Sequence, residues 1–552
     1  MEAKESKIID ILTENKKYIV PSYQRPYSWD KSNTEQLIDD IYNSFCQENE
    51  EYFIGTLICV HKGNYTYEIV DGQQRLTTLS LIFAKMKDLI SENKRAKENL
   101  QKRVLPIDDF SDKPQEPRLK VRSKEYDLYY NYILQGDSRF LPDSPTSTQK
   151  LFIENFKMIE EYLLSKSDDE VFLCNLAKYI LERVYVVFVQ TDNFTSSFRL
   201  FNVLNTRGMP LASSDLIKNS LFEMAEYSGE GYEKVEEYWD RIEDTIGVEN
   251  MDKFLMINRI SQKTDKDRVV RNLVDEYTDI LKNTYSNNAT KFTIDLLKSA
   301  ENYQKIRDLD FDDMILYKIF SSLSRLSEEW ISPVLAFINR MDKDKSITKK
   351  QFKEFIQIFE KCYVHGWFKK QIRGKREIIC FSALVSINTQ SNFQEIINLL
   401  KDHADNAGFI SSLDDNIYDP SPSRINFLKA VLLRIDQEMQ DDSVCKTYHG
   451  RITIEHVLPQ RSLNEYWRTR FTPEAHTEWL HKLGNLALIS GVKNSEAQNS
   501  SFDKKKEVYE KNNQKVSFDV TKGLCDYSEW NIPSIIERHK LLVNMAKNIW
   551  IV

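Results

Sequence analysis

The sequence has no uninterrupted run of about eighteen apolar residues, so it offers nothing that would span a membrane. It has no cysteines at C-x-x-C spacing. The seven present, Cys46, Cys59, Cys174, Cys362, Cys380, Cys445 and Cys525, are odd in number and scattered, which argues against a disulfide framework and a cysteine-based zinc site. No internal repeat or low-complexity tract occurs. No Gly-Lys-Ser/Thr closes a glycine-rich loop, which excludes a Walker A site. A surplus of basic charge is missing too. With a net charge of −8 the whole molecule is no electrostatic glove for nucleic acid, and any DNA contact must use locally concentrated Lys and Arg. The first ten residues alternate in charge without an apolar signal core, so a cytoplasmic location with no membrane partner is expected.

What remains is ordinary for a globular chain, 41% hydrophobic and 29% charged. Three regions separate by pattern: residues 1–230, 231–440 and 441–552. In the first, Tyr52 to Val60 and Tyr65 to Val70 flank Gly63-Asn64 and read as a β-hairpin. Apolar residues from Leu76 to Ile90 follow at helical spacing. Glu92 to Lys120 is charged, carries Pro106, Pro114 and Pro117, and reads as a loop or insertion. Val184 to Gln190 reads as a buried strand. The second region is helical by periodicity, for example over Leu316–Leu326, Ile331–Ile338, Phe352–Val364 and Phe427–Met439, and shows no chemistry. The third reads strand (Ile452–Val457), loop, strand (Leu486–Ser490), helix (Ser495–Glu510).

Two constellations carry chemistry. The first is Glu455-His456-Val457-Leu458-Pro459-Gln460, then Gly484-Asn485-Leu486, then Lys493-Asn494. Phosphodiester hydrolysis needs a base for water and a cation against the charge growing on the phosphate. A histidine near its ordinary pKa is largely neutral at pH 7 and can be that base. Glu455 and Asn494 supply the hard oxygens that Mg²⁺ prefers. Asn485 can hydrogen-bond across the loop and fix His456. Adjacent strand residues face opposite ways, so Glu455 and His456 share a site only at a strand end or bulge; Pro459 makes a strand end the expectation.

The second constellation is Asp71-Gly72-Gln73-Gln74-Arg75 between the hairpin and the following helix. A strand, a glycine turn and a helix N-terminus make a phosphate cradle, to which Arg75 adds a bidentate donor and Thr77 a cap. Upstream, Tyr23, Gln24, Arg25, Tyr27 and Trp29 form an aromatic-rich segment, with rings suited to stack on a nucleotide or a DNA base.

Together these blocks, with Phe53-Ile54-Gly55-Thr56, Phe201 to Gly208 and Asp215 to Asn219, resemble the GmrSD family of modification-dependent (type IV) restriction endonucleases at both ends of the chain. The resemblance implies an α+β multidomain protein. An N-terminal ParB/sulfiredoxin-like α/β domain leads into a helical connector, and a C-terminal ββα-metal (HNH, or His-Me finger) nuclease follows. It implies His456 as general base, Asn485 as the loop-fixing residue, and Glu455 and Asn494 as ligands for Mg²⁺ or Mn²⁺. Asp71 and Arg75 would serve nucleotide hydrolysis, with Gln24, Arg25, Gly72, Gln73, Gln74, Thr77, Arg207 and Lys218 around a nucleoside triphosphate. GTP, CTP, UTP and ATP all remain open. The implied function is NTP-regulated cleavage of double-stranded, modified phage DNA, and a homodimer is among the assemblies it allows. The alternative is a nucleotide-switched DNA-binding protein with an inactive nuclease module. One departure is the first acidic position, which is Glu here where Asp is also common in such nucleases.

Overall fold

The computed structural model describes the chain except residues 1, 14, 22–23, 48–50, 109–110, 112, 168, 192–211, 229–232, 265–268, 390–391, 441–445, 447–449, 462–463 and 511–517, and except the side chains of 2, 223, 226–228, 492, 494 and 495. The protein is α+β and divides into two compact units, Met1–Glu223 and Met224–Val552. No helix among the described residues is long and apolar enough to cross a membrane.

Unit 1 holds a six-stranded mixed sheet formed by β1 (Glu2–Lys7), β2 (Lys17–Ile19), β3 (Tyr52–His61), β4 (Thr66–Asp71), β5 (Leu119–Lys120) and β6 (Val184–Thr191), in the order β1-β6-β3-β4-β2-β5. β3 and β4 form the expected hairpin, antiparallel with Cys59 opposite Ile69. The alternating charges at the N-terminus belong to β1, an edge strand beside β6, where charged side chains discourage further strand pairing. The helix Gln73–Leu89 is buried on nearly all sides and sits at the centre of this unit's core.

One expectation fails here. Within Glu92 to Lys120 a helix runs over Lys94–Val104, capped by the Asn93 side chain, which accepts from the Ala96 N–H at 3.1 Å. Its apolar stripe is only Ala96, Leu100 and Val104, spaced at four residues and packed on the core, while charged residues cover the wet faces. Charge density hid the stripe.

Among its described residues unit 2 is helical apart from one ribbon, β7 (Ile452–His456) antiparallel to β8 (Leu486–Ser490), with His456 opposite Leu486. The expected helix from Ser495 to Glu510 is broken into Gly491–Ala497 and Phe502–Glu510. Gln498 at φ +36° turns the chain at the break, and Asn464 and the Trp467 indole N–H donate to the Asn499 and Ser500 carbonyls, which a continuous helix would have kept for itself.

Candidate functional site

His456 is the last residue of β7, so the chain is free to turn just where Glu455 and His456 would otherwise diverge. The turn is held by the residue that precedes the other strand. The Val457 N–H donates to the Asn485 carbonyl at 3.0 Å, and the Leu458 N–H to Asn485 Oδ1 at 2.7 Å. Asn485 Nδ2 donates to the Leu458 and Leu480 carbonyls, and the Trp530 indole reaches Oδ1. Asn485 is fully buried with both ends of its amide satisfied. The preceding Gly484 lies against the helix Ile532–Trp550, where an added Cβ would come within 2.8 Å of the Ile535 carbonyl oxygen. Arg538 of that helix clamps the same turn through the Leu486 carbonyl at 2.9 Å.

Glu455 points inward. Its Oε1 accepts from Lys505 Nζ at 2.7 Å and from the Tyr509 hydroxyl at 3.1 Å, while Lys505 also donates to the His456 carbonyl at 2.9 Å. Burial pushes the Glu455 carboxyl up and the Lys505 ammonium down, against the pull of their ion pair. Both bonds end on Oε1, and among the described residues Oε2 accepts none. Asn494 lies in the helix Gly491–Ala497, and its side chain falls outside the described residues. No group of three His, Cys, Asp or Glu among the described residues could hold a metal by itself. One carboxylate oxygen does suit Mg²⁺, which takes one or two protein oxygens and fills its shell with water and substrate phosphate.

His456 is 6% exposed. Gln460 Nε2 approaches its Nδ1 at 2.8 Å and its Nε2 at 3.3 Å, and His481 Nδ1 lies 3.3 Å from Nε2. Tyr418 stands edge-on to the ring at 4.5 Å. Burial, then the neighbouring His481, pushes the His456 pKa down to about 3. The ring is therefore neutral at working pH, as a base must be, but it is also covered. Tyr418 and Tyr509 carry no signal in the sequence, whereas Gln460 closes the Glu455–Gln460 block and His481 and Lys505 lie in the same C-terminal stretch. His449 is outside the described residues, and His476 donates to the Pro459 carbonyl.

The depressed His456 pKa carries a stability consequence. The unfolded chain binds the proton first, near pH 6.5, and the folded chain only near 3, so stability falls as pH drops through that window. In chelating buffer the wild type is expected to lose roughly 3 kcal/mol more than His456→Gln between pH 7 and pH 4. Urea unfolding of both at the two pH values measures it; parallel losses would mean the ring is not desolvated.

In unit 1, Asp71 ends β4 and Gly72 follows at φ +91°, where an added Cβ would lie 2.8 Å from the Thr56 carbonyl oxygen. Gly72 starts the helix Gln73–Leu89 with no side-chain cap. Asp71 Oδ2 accepts from the Thr56 hydroxyl at 2.8 Å and from Arg75 Nη2 at 3.3 Å, and Arg75 Nη1 donates to the Ile54 carbonyl at 2.8 Å. Arg75 passes over Gly55, whose φ is +106° and whose missing Cβ would meet the guanidinium; this explains the register shift between Phe53 and Thr56.

The two glutamines pin the upstream segment. Gln73 Nε2 donates to the Arg25 carbonyl at 3.0 Å, and Gln74 Oε1 accepts from the Ser28 N–H at 2.9 Å. Gln24 reaches back to the Val70 carbonyl at 2.9 Å, and Arg25 is half-buried. These contacts bring Gln24, Arg25, Gly72, Gln73, Gln74, Asp71 and Arg75 together. Thr77 is buried with its hydroxyl unpartnered rather than capping the helix. Tyr27 is committed to the core, its hydroxyl on Thr78 at 2.8 Å, and Trp29 packs beside it, so Tyr27 has no face to offer a base. Lys218 is buried in the helix Ser213–Ser228, whereas Tyr23 and Arg207 lie outside the described residues. The uncapped helix start, with an orphaned hydroxyl in the next turn, fits an anionic phosphate.

Residues 8–222 match the family model of the GmrSD restriction endonuclease N-terminal domain, and residues 404–545 that of the GmrSD restriction endonucleases C-terminal domain. The second match begins upstream of β7 and takes in Tyr418. The two matches together span well over half of the chain. No curated protein matches it.

Proposed function

This chain belongs to the GmrSD restriction endonuclease family and is a DNA endonuclease; we propose that it hydrolyses phosphodiesters of modified double-stranded phage DNA under the control of a nucleoside triphosphate. The observation that carries the reading is the neutral imidazole of His456 at a strand end, where Asn485 clamps the backbone that follows and Lys505 joins the His456 carbonyl to the Glu455 carboxylate. We assign the carboxyl-terminal site to an HNH-type nuclease and the amino-terminal sheet to a ParB/sulfiredoxin-like nucleotide domain. Water attacks phosphorus, the bond to the 3′ oxygen breaks, and His456 takes the water proton. Mg²⁺ or Mn²⁺, held by Glu455 and Asn494, would neutralise the charge that grows on the phosphate and leaving oxygen.

Access shapes the step. Gln460 covers Nδ1, so substrate reaches that nitrogen only once the amide swings away. A phosphate drawn against the ring then raises its proton affinity, because a nearby negative charge favours the imidazolium. The test is nicking of supercoiled plasmid and of DNAs bearing different modified bases, with Mg²⁺ or with chelator, with and without each NTP. Cleavage of none of them would remove the reading; cleavage unchanged by chelator would remove the metal from it.

In unit 1 the phosphates of an NTP would lie on the free N–H groups at Gln73 and Gln74. Arg75→Ala opens the Asp71 and Ile54 contacts that shape this turn. We expect Arg75→Ala and Asp71→Ala each to lower NTP turnover at least about tenfold, in line with the loss of one charge-assisted hydrogen bond. Unchanged turnover in both variants would refute the assignment.

A further inference from the structure

We infer that His481 and Tyr418 form a positioning pair that fixes the tautomer and ring plane of His456. The inference rests on the nuclease reading of that site and adds two residues to it. An imidazole carries one proton when neutral, and the nitrogen without it is the base. With the Gln460 amide donating to Nδ1 at 2.8 Å, the proton sits on Nε2; Gln460 Nε2 also lies 3.3 Å from that nitrogen but has no lone pair to accept with, so the acceptor there is His481 Nδ1 at 3.3 Å. The two imidazoles stand at 82° to each other, so the partner ring blocks rotation of His456 as well as accepting its proton.

His481 is itself held in place. The Tyr418 ring stacks on it at 5.1 Å and 14°, and stands at 82° to the His456 ring with centroids 4.5 Å apart. The Ile417 N–H donates to the His481 carbonyl at 3.0 Å. Lys482 donates to the Asp414 carbonyl, and His539 Nε2 lies 3.4 Å from the Asp414 carboxylate, so the segment bearing Tyr418 is tied down at both sides of the histidine. Packing alone would be served by any ring or branched chain at residue 481. Only a nitrogen at the Nδ1 position can select a tautomer, and that separates the two roles.

Four variants and one spectrum test this. His481→Leu keeps bulk without the nitrogen, His481→Asn keeps a polar group at the Nδ1 position, and His481→Gln moves it to the Nε2 position. On the DNA that the wild type cuts, kcat is expected to fall about 10²-fold in His481→Leu with KM unchanged, the scale of a misplaced general base. His481→Asn is expected within about tenfold of wild type, His481→Gln as impaired as Leu, and Tyr418→Ala, which removes the stacking ring, about tenfold lower in kcat with KM unchanged. Ring ¹⁵N spectra of His456, which need no substrate, should show the Nε2–H form in the wild type and a mixture in His481→Leu. Wild-type kcat in His481→Leu, or Asn no better than Gln, overturns the inference. A wild type that cuts no DNA removes the nuclease reading instead, and the spectrum still decides the tautomer: an Nδ1–H form in the wild type, or no change in His481→Leu, overturns the inference there too.

Discussion

Replacing His456 by Ala should lower plasmid nicking by about 10³-fold, the middle of the range for removing a general base. The ring is boxed by Tyr418, His481 and Gln460, and the clamp on its peptide runs through Asn485 and Lys505. Those clamps act on backbone atoms and survive the substitution, so the loss should fall on chemistry rather than on folding. Removing a desolvated imidazole also removes the acid-labile group at this point, and His456→Ala should be no less stable than wild type at pH 4. His403→Ala, an exposed histidine at the end of the helix Phe393–Asp402, serves as the matched control and should cut like wild type. Equal nicking by wild type and His456→Ala would trace the activity to a contaminant or to another residue, and either result ends the assignment.

The second large effect belongs to Lys505→Met. Lys505 is fully buried and Glu455 nearly so. Burial shifts both groups toward their neutral forms despite the 2.7 Å contact between them, which means desolvation outweighs attraction. Such a pair adds little net stability when whole but is costly to halve. Removing the ammonium leaves a carboxylate held only by the Tyr509 hydroxyl, at a cost of about 3–5 kcal/mol. The double variant Glu455→Gln with Lys505→Met carries no charge there and should recover at least half of that loss. Urea midpoints of the two variants and wild type measure it. A loss in Lys505→Met below about 1 kcal/mol, the usual worth of an exposed ion pair, would show that water reaches the site. Activity should fall with stability in Lys505→Met, because the same ammonium holds the His456 carbonyl.

How much of this was legible beforehand differs by residue. The hairpin β3–β4, the strand β6 and the ribbon β7–β8 were readable because runs of β-branched and aromatic residues end at turn formers within the same few positions. The helix Lys94–Val104 was not, since three apolar residues among eight charged or amide ones give no contrast until the core supplies a surface for them. The resemblance implies Gln73 and Gln74 as nucleotide contacts. Their side chains hold the segment Arg25–Trp29, which lies far enough along the chain that no local pattern could pair them.

Sequence alone was enough for what depends on neighbours: periodicity, turn chemistry, the Glu-His doublet at a strand end, and the asparagine that answers it from just before the next strand. Tertiary structure decided whatever depends on burial. It put Lys505 and Tyr509 on the Glu455 carboxylate, set His481, Tyr418 and Gln460 around the His456 ring, and drew Tyr27 into the core. The physical reason is that a charge or a ring nitrogen takes its energy from every atom within a few ångströms. In a folded chain most of those atoms come from residues far away in sequence.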